Sequence, residues 1–307
     1  MEQALCQFAR LDILLASAGI WNYAPLPIES NDVEGLEQME GTFSVDKLRQ
    51  TRVLCVLGIL MLAIGVNAGL LSGQQTAAAQ LTQRIDPQAK QMLDRAIQGL
   101  GGQAFLNAKS ITTKGRIFFF QDGNTAGMEP FESHLLYPDK RHFSYGKTKP
   151  VILINNGDKG WELDRYGLIE QPAQQLQSWN LGNRYSLENV LRLRINEPGV
   201  LIQVGKVDFV DNVPTQGIEI TEPGGASVRL DLHRQTNVPS RISYRIRNVK
   251  ENAWDEYSDA YADYKIVDGI ETPMHITRYL NGDRIGETFR NTATYNEDYP
   301  PKEFVAE

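Results

Sequence analysis

The stretch 256-EYSDAYADYKIVDGIETPMHITRYLNGDRIGETFRNTATY-295 decides the fold. It contains three strand-length runs, at 256–267, 270–280 and 284–295. The dipeptides Asp268-Gly269 and Asn281-Gly282 separate these runs. Both dipeptides favour two-residue hairpin turns, because their residues adopt positive φ at little cost. The stretch therefore predicts a three-stranded antiparallel meander.

Shorter runs with apolar residues at every second position lie upstream of this meander. They are bounded by turn-forming glycine, proline, asparagine and aspartate residues, as strands of an antiparallel sheet are. The runs are 111–121, 131–137, 141–145, 151–154, 160–163, 201–210, 217–221, 227–233 and 241–249.

Two segments have helical periodicity instead. Residues 86–100 begin with an Asp-Pro cap and carry apolar residues at three- and four-residue steps, which is typical of an amphipathic helix. Residues 172–197 show the same spacing and interrupt the run of strands, and Ser186 is the expected cap of their second helix. A long antiparallel sheet curls, and its inner face must be covered.

The predicted fold is therefore mainly β. It is a strongly curved antiparallel half-barrel of about 10–11 strands, with an N-terminal helix and a mid-chain helical lid.

The stretch 47-KLRQTRVLCVLGILMLAIGVNAGLLSGQQTAAAQ-80 resembles a secretory leader, with a basic start, an apolar core and an Ala-rich exit. We predict a signal peptide at 39–79, with translation starting at Met39, and a folded domain at 80–307. With that start, residues 1–38 would lie upstream of the translated protein, and we treat them as a doubtful segment. The alternative is an uncleaved inner-membrane anchor at 53–71, although this run is diluted by three glycines and an asparagine.

Charge and cysteine content exclude several classes of function. The chain has a net charge of −7, and residues 81–307 hold 27 Lys+Arg against 30 Asp+Glu. This near-balance gives no basic surface for nucleic acid. Cys6 and Cys55 both precede the predicted cleavage point, so the exported domain would have no disulfide and no thiol nucleophile.

A faint similarity to short-chain dehydrogenases occupies only residues 11–20, LDILLASAGI. No glycine-rich dinucleotide loop precedes it. The match to the family's Tyr-x-x-x-Lys pattern, Tyr261 to Lys265, falls in a segment that we predict to be a strand. We interpret this similarity as coincidental.

Several turns together resemble one family. They are the helix end Gly99-Leu100-Gly101-Gly102, the segments 137-YPDKR-141 and 156-NGDKGW-161, and 264-YKIVDGIETP-273, followed by Asn281-Gly282 and Phe304. They look like secreted bacterial proteins of the LolA/LolB-like superfamily of outer-membrane lipoprotein-sorting carriers. The resemblance implies an incomplete antiparallel barrel with helices as a lid, which carries acyl chains across the periplasm.

Apolar residues of the predicted strands and lid are the candidate ligand-binding residues. A sheet-and-helix cavity suits an apolar ligand, although inward strand residues usually form a filled core. The candidates are Phe118, Phe120, Leu135, Tyr137, Phe143, Ile152, Ile154, Trp161, Leu176 and Trp179. The four histidines show no metal-binding spacing and no serine has a base partner in the sequence, so we predict no metal, cofactor or catalytic residue.

The sequence favours a periplasmic, non-enzymatic carrier of lipoprotein or lipid acyl chains. Its partners would be those acyl chains and a membrane-protein donor or acceptor, with no nucleic acid. An envelope sensor or binding subunit with the same fold is the alternative. An enzyme such as a short-chain dehydrogenase is the least favoured hypothesis.

Overall fold

The computed structural model describes residues 83–248 and 252–306. The predicted signal peptide 39–79 with its Met39 start, the alternative anchor 53–71, and the segment 1–38 with its dehydrogenase-like stretch lie outside the described residues. No helix in the described part of the chain is long and apolar enough to cross a membrane.

Fourteen strands occur in the described residues. They are β1 (Arg84–Ile85), β2 (Ser110–Gln121), β3 (Asn124–Leu136), β4 (Lys140–Tyr145), β5 (Val151–Asn156), β6 (Lys159–Asp164), β7 (Gly167–Glu170), β8 (Leu201–Val210), β9 (Val213–Thr221), β10 (Ser227–His233), β11 (Pro239–Asn248), β12 (Ala253–Val267), β13 (Ile270–Leu280) and β14 (Asp283–Tyr295).

Four helices occupy two places between these strands, one between β1 and β2 and the other between β7 and β8. They are α1 (Pro87–Gly99), α2 (Gln103–Asn107), α3 (Ala173–Arg184) and α4 (Leu187–Arg192). Two 3₁₀ turns, Arg194–Asn196 and Pro301–Phe304, complete the described elements.

All fourteen strands form one open, strongly curved sheet, so the predicted mainly-β half-barrel is confirmed. The order across the sheet is β1-β8-β9-β10-β11-β12-β13-β14-β2-β3-β4-β5-β6-β7. Every neighbouring pair is antiparallel except β1 and β8, which are parallel. The count exceeds the predicted 10–11 chiefly because β1 and β7 are too short to show alternation.

The C-terminal meander forms as the turn chemistry predicts. Asp268, Gly269, Asn281 and Gly282 all have positive φ, and the two dipeptides join β12 to β13 and β13 to β14 as tight hairpins. Strand β14 then pairs with β2, which links the meander to the first half of the chain. The Tyr261–Lys265 segment lies on β12, a strand, as expected.

The main core lies between the helices and strands β8–β11. Asp86 caps α1 by accepting hydrogen bonds from the backbone N–H groups of Gln88 and Ala89, and Ser186 caps α4. The apolar stripe of α1 and one side of α4 then pack on the sheet. Buried contributors include Ala89, Met92, Leu93, Ala96, Val190, Leu191, Ile202, Ile218, Ile220, Val228, Leu230 and Ile242.

A buried carboxylate connects two strands of this half, β10 and β11. The side chain of Asp231 on β10 is fully buried and lies 2.7 Å from Arg229 Nη2 and 2.8 Å from Arg241 Nη2. Two arginines therefore offset the cost of burying one carboxylate.

Candidate functional site

A second apolar cluster covers one face of β2–β5, away from the main core. We call the face of the sheet that contacts the helices the inner face, and the opposite one the outer face. The inner-face cluster consists of Ile117, Phe119, Phe131, Phe143, Tyr145 and Leu153. Strand pairing places these residues in register, since Phe131 lies opposite Tyr145 and Phe143 lies opposite Leu153.

Helix α3 lies over this half of the inner face, and Trp179 is its one buried residue. The Trp179 ring covers the guanidinium of Arg141 on β4, at 4.2 Å from the guanidinium carbon to the ring centroid. The same carbon lies 5.0 Å from the centroid of Phe143. A cation is thus enclosed by aromatic faces, a contact worth about 2 kcal/mol when desolvated.

A chain of side-chain contacts links Arg141 to the start of α3. Arg141 lies 3.4 Å from Asn155 Oδ1, and Asn155 donates from Nδ2 to Gln171 Oε1 at 2.8 Å. Gln171 directly precedes Pro172 and α3. Burial, with the charge of Arg278 second, lowers the pKa of Arg141 well below its usual value.

A buried carboxyl group also faces α3. Gln175 donates from Nε2 to Glu162 Oε2 at 3.1 Å. Burial raises the pKa of Glu162, and the hydrogen bond from Gln175 opposes this only in part. The ionised carboxylate is therefore unfavourable beneath the helix.

Polar contacts hold the other end of α3. Asn183 donates to the carbonyl of Pro138 in the β3–β4 turn, at 2.9 Å. Arg184 contacts Glu222 at 2.8 Å and Glu197 at 3.2 Å. The helix is thus attached by one buried aromatic side chain and by hydrogen bonds and ion pairs near its two ends.

Tyrosines and an ion pair occupy the inner face between the two apolar clusters. Arg278 on β13 forms a two-pronged contact with Asp259 on β12, at 2.8 and 2.9 Å. Burial alone lowers the pKa of Arg278, but Asp259 outweighs it and the net pKa lies above the usual value. Burial raises the pKa of nearby Tyr244 and Tyr261 well above 10. The middle of the inner face is therefore polar and its β2–β5 end is apolar.

The structure places five of the ten candidate residues on the inner face or on α3. Leu135 and Tyr137 pack against the main core, and Phe143 belongs to the inner-face cluster. Trp179 and the half-buried Leu176 lie on α3.

Four other candidates do not share the face of Phe143. Ile152, Ile154 and Trp161 alternate with inward-facing Leu153 and its neighbour Glu162, and lie on the outer face. Phe118 alternates with Phe119, and its ring contacts Phe289 at 5.6 Å. The ten candidates therefore do not form one surface.

The last candidate, Phe120, is buried at a β-bulge. Its ring centroid lies 3.9 Å from the guanidinium carbon of Arg284. It is not part of the inner-face cluster.

The residues that the sequence analysis missed are mainly polar. Arg141, Asn155 and Glu162 face α3, but their residue types do not suggest an apolar site. The sequence contained one indication that Arg141 faces α3. Arg141, Phe143 and Tyr145 are at every second position of one strand, so their side chains lie on the same face of the sheet.

The outer face carries a cavity of about 480 Å³ with a polar lining. It lies beside β2, β3 and β14 and beneath the C-terminal segment. Its lining includes Thr112, Lys114, Glu132, His134, Glu297 and Tyr299.

Comparison with known proteins gives structural matches only. No family profile matches the chain, and no curated protein matches it. A domain from Vibrio parahaemolyticus that is described as an outer membrane lipoprotein-sorting protein domain matches with a TM-score of 0.45 and 9% identity, covering 70% of this chain and 97% of that one. A LolA superfamily protein from Nitrosomonas europaea gives 0.44 and 14%, covering 71% and 97%. The chain resembles the LolA superfamily.

A third match has the same extent. A DUF1329 family protein from Desulfovibrio piger gives a TM-score of 0.47 and 11% identity, covering 71% of this chain and 97% of that one. Two of these three matches are described as a lipoprotein-sorting protein domain and a LolA superfamily protein, and the sequence resembles the same family. At these identities and TM-scores, the likeness assigns no cargo and no partner to this chain.

Proposed function

We propose that this protein is a non-enzymatic carrier of the bacterial envelope that holds a lipid or lipoprotein acyl chain between α3 and the inner face of β2–β5. The leader-like stretch 47–80 supports export to the periplasm. Any membrane-protein donor or acceptor would meet the carrier there.

The attachment of α3 carries this proposal. A helix with one buried side chain is an element of low local stability, of the kind that opens without global unfolding. When α3 moves away, Phe131, Phe143, Tyr145 and Leu153 lose their cover. An apolar surface then becomes available for a ligand of matching chemistry.

An acyl chain suits such a surface. Each buried methylene contributes about 0.8 kcal/mol, so a long chain gains affinity without any specific polar contact. The polar middle of the inner face, with the Asp259–Arg278 pair, would lie at the end of the apolar region, where a head group or the lipoprotein backbone could remain hydrated.

The first test is mass spectrometry of protein exported to a bacterial periplasm and purified without detergent, intact and after solvent extraction. An N-terminus at or near Gln80 together with co-purified phospholipid or acylated peptide is the expected result. A chain that still begins at Met1 would overturn the export part of the proposal.

The second test uses α3 directly. Trp179→Glu replaces the ring that covers Arg141 by a carboxylate, so that an ion pair takes the place of an apolar ring. It should abolish uptake of a pyrene-labelled long-chain fatty acid, while the β-sheet circular dichroism is retained. Gln174→Glu makes the same charge change on the exposed side of α3 and should bind like the wild type. Unchanged uptake by Trp179→Glu would count against α3 as the lid.

A binding subunit or sensor is the second candidate, favoured by the free edge of the sheet. Strand β7 ends the strand order, and Tyr166, Leu168 and Ile169 at this edge are 80%, 43% and 57% exposed. Exposed apolar edge strands are common sites for pairing with another chain. A correctly processed but lipid-free protein that co-purifies with a stable membrane partner would favour this function over a carrier.

A further inference from the structure

We propose that His134, His142 and Glu303 bind a divalent transition-metal ion of the zinc class on the outer face of the sheet. This site lies on the opposite face from the proposed acyl site and does not depend on the carrier function.

Strand pairing brings the two histidines together. His134 on β3 lies directly opposite His142 on β4, and their ring centroids are 5.6 Å apart. The seven residues between them belong to the β3–β4 hairpin. A hairpin of this length between two histidines is not the spacing of a familiar metal-binding motif. For this reason no metal was predicted from the sequence.

The C-terminal 3₁₀ turn supplies the carboxylate. Phe304 is buried against β4 and β5, and its carbonyl accepts a hydrogen bond from Asn156 Nδ2 at 3.3 Å. Tyr299 stacks on the His134 ring with 5.1 Å between centroids. These contacts of Phe304 and Tyr299 fix the position of the C-terminal turn, and Glu303 therefore lies over the histidine pair.

The donor atoms have suitable spacing. Glu303 Oε1 lies 2.6 Å from His134 Nδ1 and 3.3 Å from His142 Nδ1, and all three donors lie within 4.8 Å of one another. Zinc bonds of about 2.0–2.2 Å in a tetrahedron separate ligand atoms by roughly 3.3 Å. The contact with His142 already has this length. The contact with His134 must lengthen by less than about 1 Å, as the proton it holds passes to solvent.

A second carboxylate orients the first histidine. Glu132 Oε1 lies 3.0 Å from His134 Nε2, and Lys114 holds Glu132 at 2.9 Å. Once the proton of the contact between Nδ1 and Glu303 has left, Nε2 still donates to Glu132 and the lone pair of Nδ1 is available to a metal ion between Glu303 and His142. Histidine ligands of metals commonly donate their other nitrogen to a carboxylate in this manner.

A metal ion would satisfy a donor atom of the second histidine. His142 Nδ1 is buried and forms no hydrogen bond within the described residues, although Glu303 lies nearby. A buried nitrogen without a partner costs free energy, and coordination to a metal ion would offset that cost.

The site remains accessible. The three ligand side chains are 20–23% exposed, which leaves room for a water molecule or an external group as the fourth ligand. Two imidazole nitrogens and one carboxylate with an open position form a donor set that zinc uses in proteins. Bound metal would also fasten the C-terminal turn to β3 and β4.

The experiment is calorimetric titration of the full chain with Zn²⁺ alone in a non-chelating buffer, with a reductant that does not bind zinc. The wild type should bind one equivalent through the site, and Co²⁺ should give the visible absorption of a tetrahedral complex. Glu303→Gln and His142→Ala should each remove that equivalent. Glu132 contacts no proposed ligand atom, because it reaches His134 only at Nε2. Glu132→Gln should therefore weaken binding by about 10- to 100-fold without removing it.

His275→Ala is the matched control. His275 is 21% exposed and lies 2.8 Å from Glu287, so it is a histidine–carboxylate pair of similar exposure on a different pair of strands. This variant should bind zinc like the wild type. Should His142→Ala fail to fold, Glu303→Gln near the chain end and Glu132→Gln remain as tests, checked by circular dichroism.

Absence of binding by the wild type would overturn the proposal. So would full binding by both Glu303→Gln and His142→Ala, which would assign the metal to other groups such as Cys6 and Cys55.

Discussion

Replacing Trp179 by alanine is expected to release α3 from the inner face while the sheet stays folded. Trp179 is 6% exposed and is the one buried residue of the helix. Its removal leaves the Arg141 guanidinium without the ring that covers it. The remaining attachments are the polar contacts of Gln175, Asn183 and Arg184 and the packing of half-buried Leu181 against the main core.

The magnitude follows from the buried area. A tryptophan buries about 150–250 Å², which corresponds to roughly 4–6 kcal/mol at about 25 cal/mol per Å². Measured Trp-to-Ala changes in cores cost about 3–5 kcal/mol, and we expect this range for the opening of α3. Since about 1.4 kcal/mol changes an equilibrium constant tenfold, opening should become roughly 100- to 4,000-fold more frequent.

Hydrogen exchange followed by mass spectrometry measures this opening. Amides of Ala173–Arg184 should lose protection by that factor in Trp179→Ala. Amides of Ser227–His233, a strand in the main core, should keep theirs. Gln174→Ala, an exposed position of the same helix, is the control and should exchange like the wild type.

Two outcomes would refute the reasoning. Equal loss of protection in Ser227–His233 would mean that Trp179 supports the whole sheet and that α3 does not open separately. Unchanged exchange in Ala173–Arg184 would mean that the remaining contacts alone hold the helix, and the lid would need another explanation.

Three other changes probe the sheet and the site. Asp231→Asn removes the buried negative charge that contacts Arg229 and Arg241, which keep Glu219 and Asp208 as partners. It should lower the free energy of unfolding by about 3 kcal/mol in urea, whereas Glu256→Gln, in an exposed ion pair, should cost less than about 1 kcal/mol. Burial raises the folded-state pKa of Glu162, so the wild type loses stability as pH rises from the ordinary glutamate pKa of 4.5 through the folded-state pKa. The melting temperature of Glu162→Gln should therefore rise relative to that of the wild type above pH 4.5, and a difference that stays constant with pH would contradict the burial. Gly115→Ala drives a methyl group into the backbone of β14 and should cost at least about 1–3 kcal/mol in thermal unfolding, whereas Gly224→Ala, in open space, should be close to neutral.

The helix caps and the tight turns were predicted correctly from the sequence, because each depends on a few neighbouring residues. The cap at Asp86, the positive-φ turns at Asp268 and Asn281, and the second helix beginning after Ser186 each depend on a few consecutive residues. Strand β3 was predicted to start at 131 but begins at Asn124, since Gly127 and Pro130 interrupt the apolar alternation.

The candidate site was predicted less well. Phe118, Phe119 and Phe120 are consecutive and equally apolar, as are residues 151–154. Because polar residues do not alternate with apolar ones in these runs, the sequence does not show which side chains face inward. The candidates therefore fell on both faces. Only packing of α3 and the C-terminal turn against opposite faces distinguishes Phe143 and Leu153 from Ile154 and Trp161.

The sequence by itself determined the strands, the turns between them, the two helical segments and hence the curved antiparallel sheet, because periodicity and turn chemistry act over a few residues. Only the tertiary structure decided which face each apolar run presents, that Arg141 lies beneath Trp179, and that Glu303 meets His134 across 169 positions. Such contacts depend on strand register and on where the chain ends return, which no short-range pattern records.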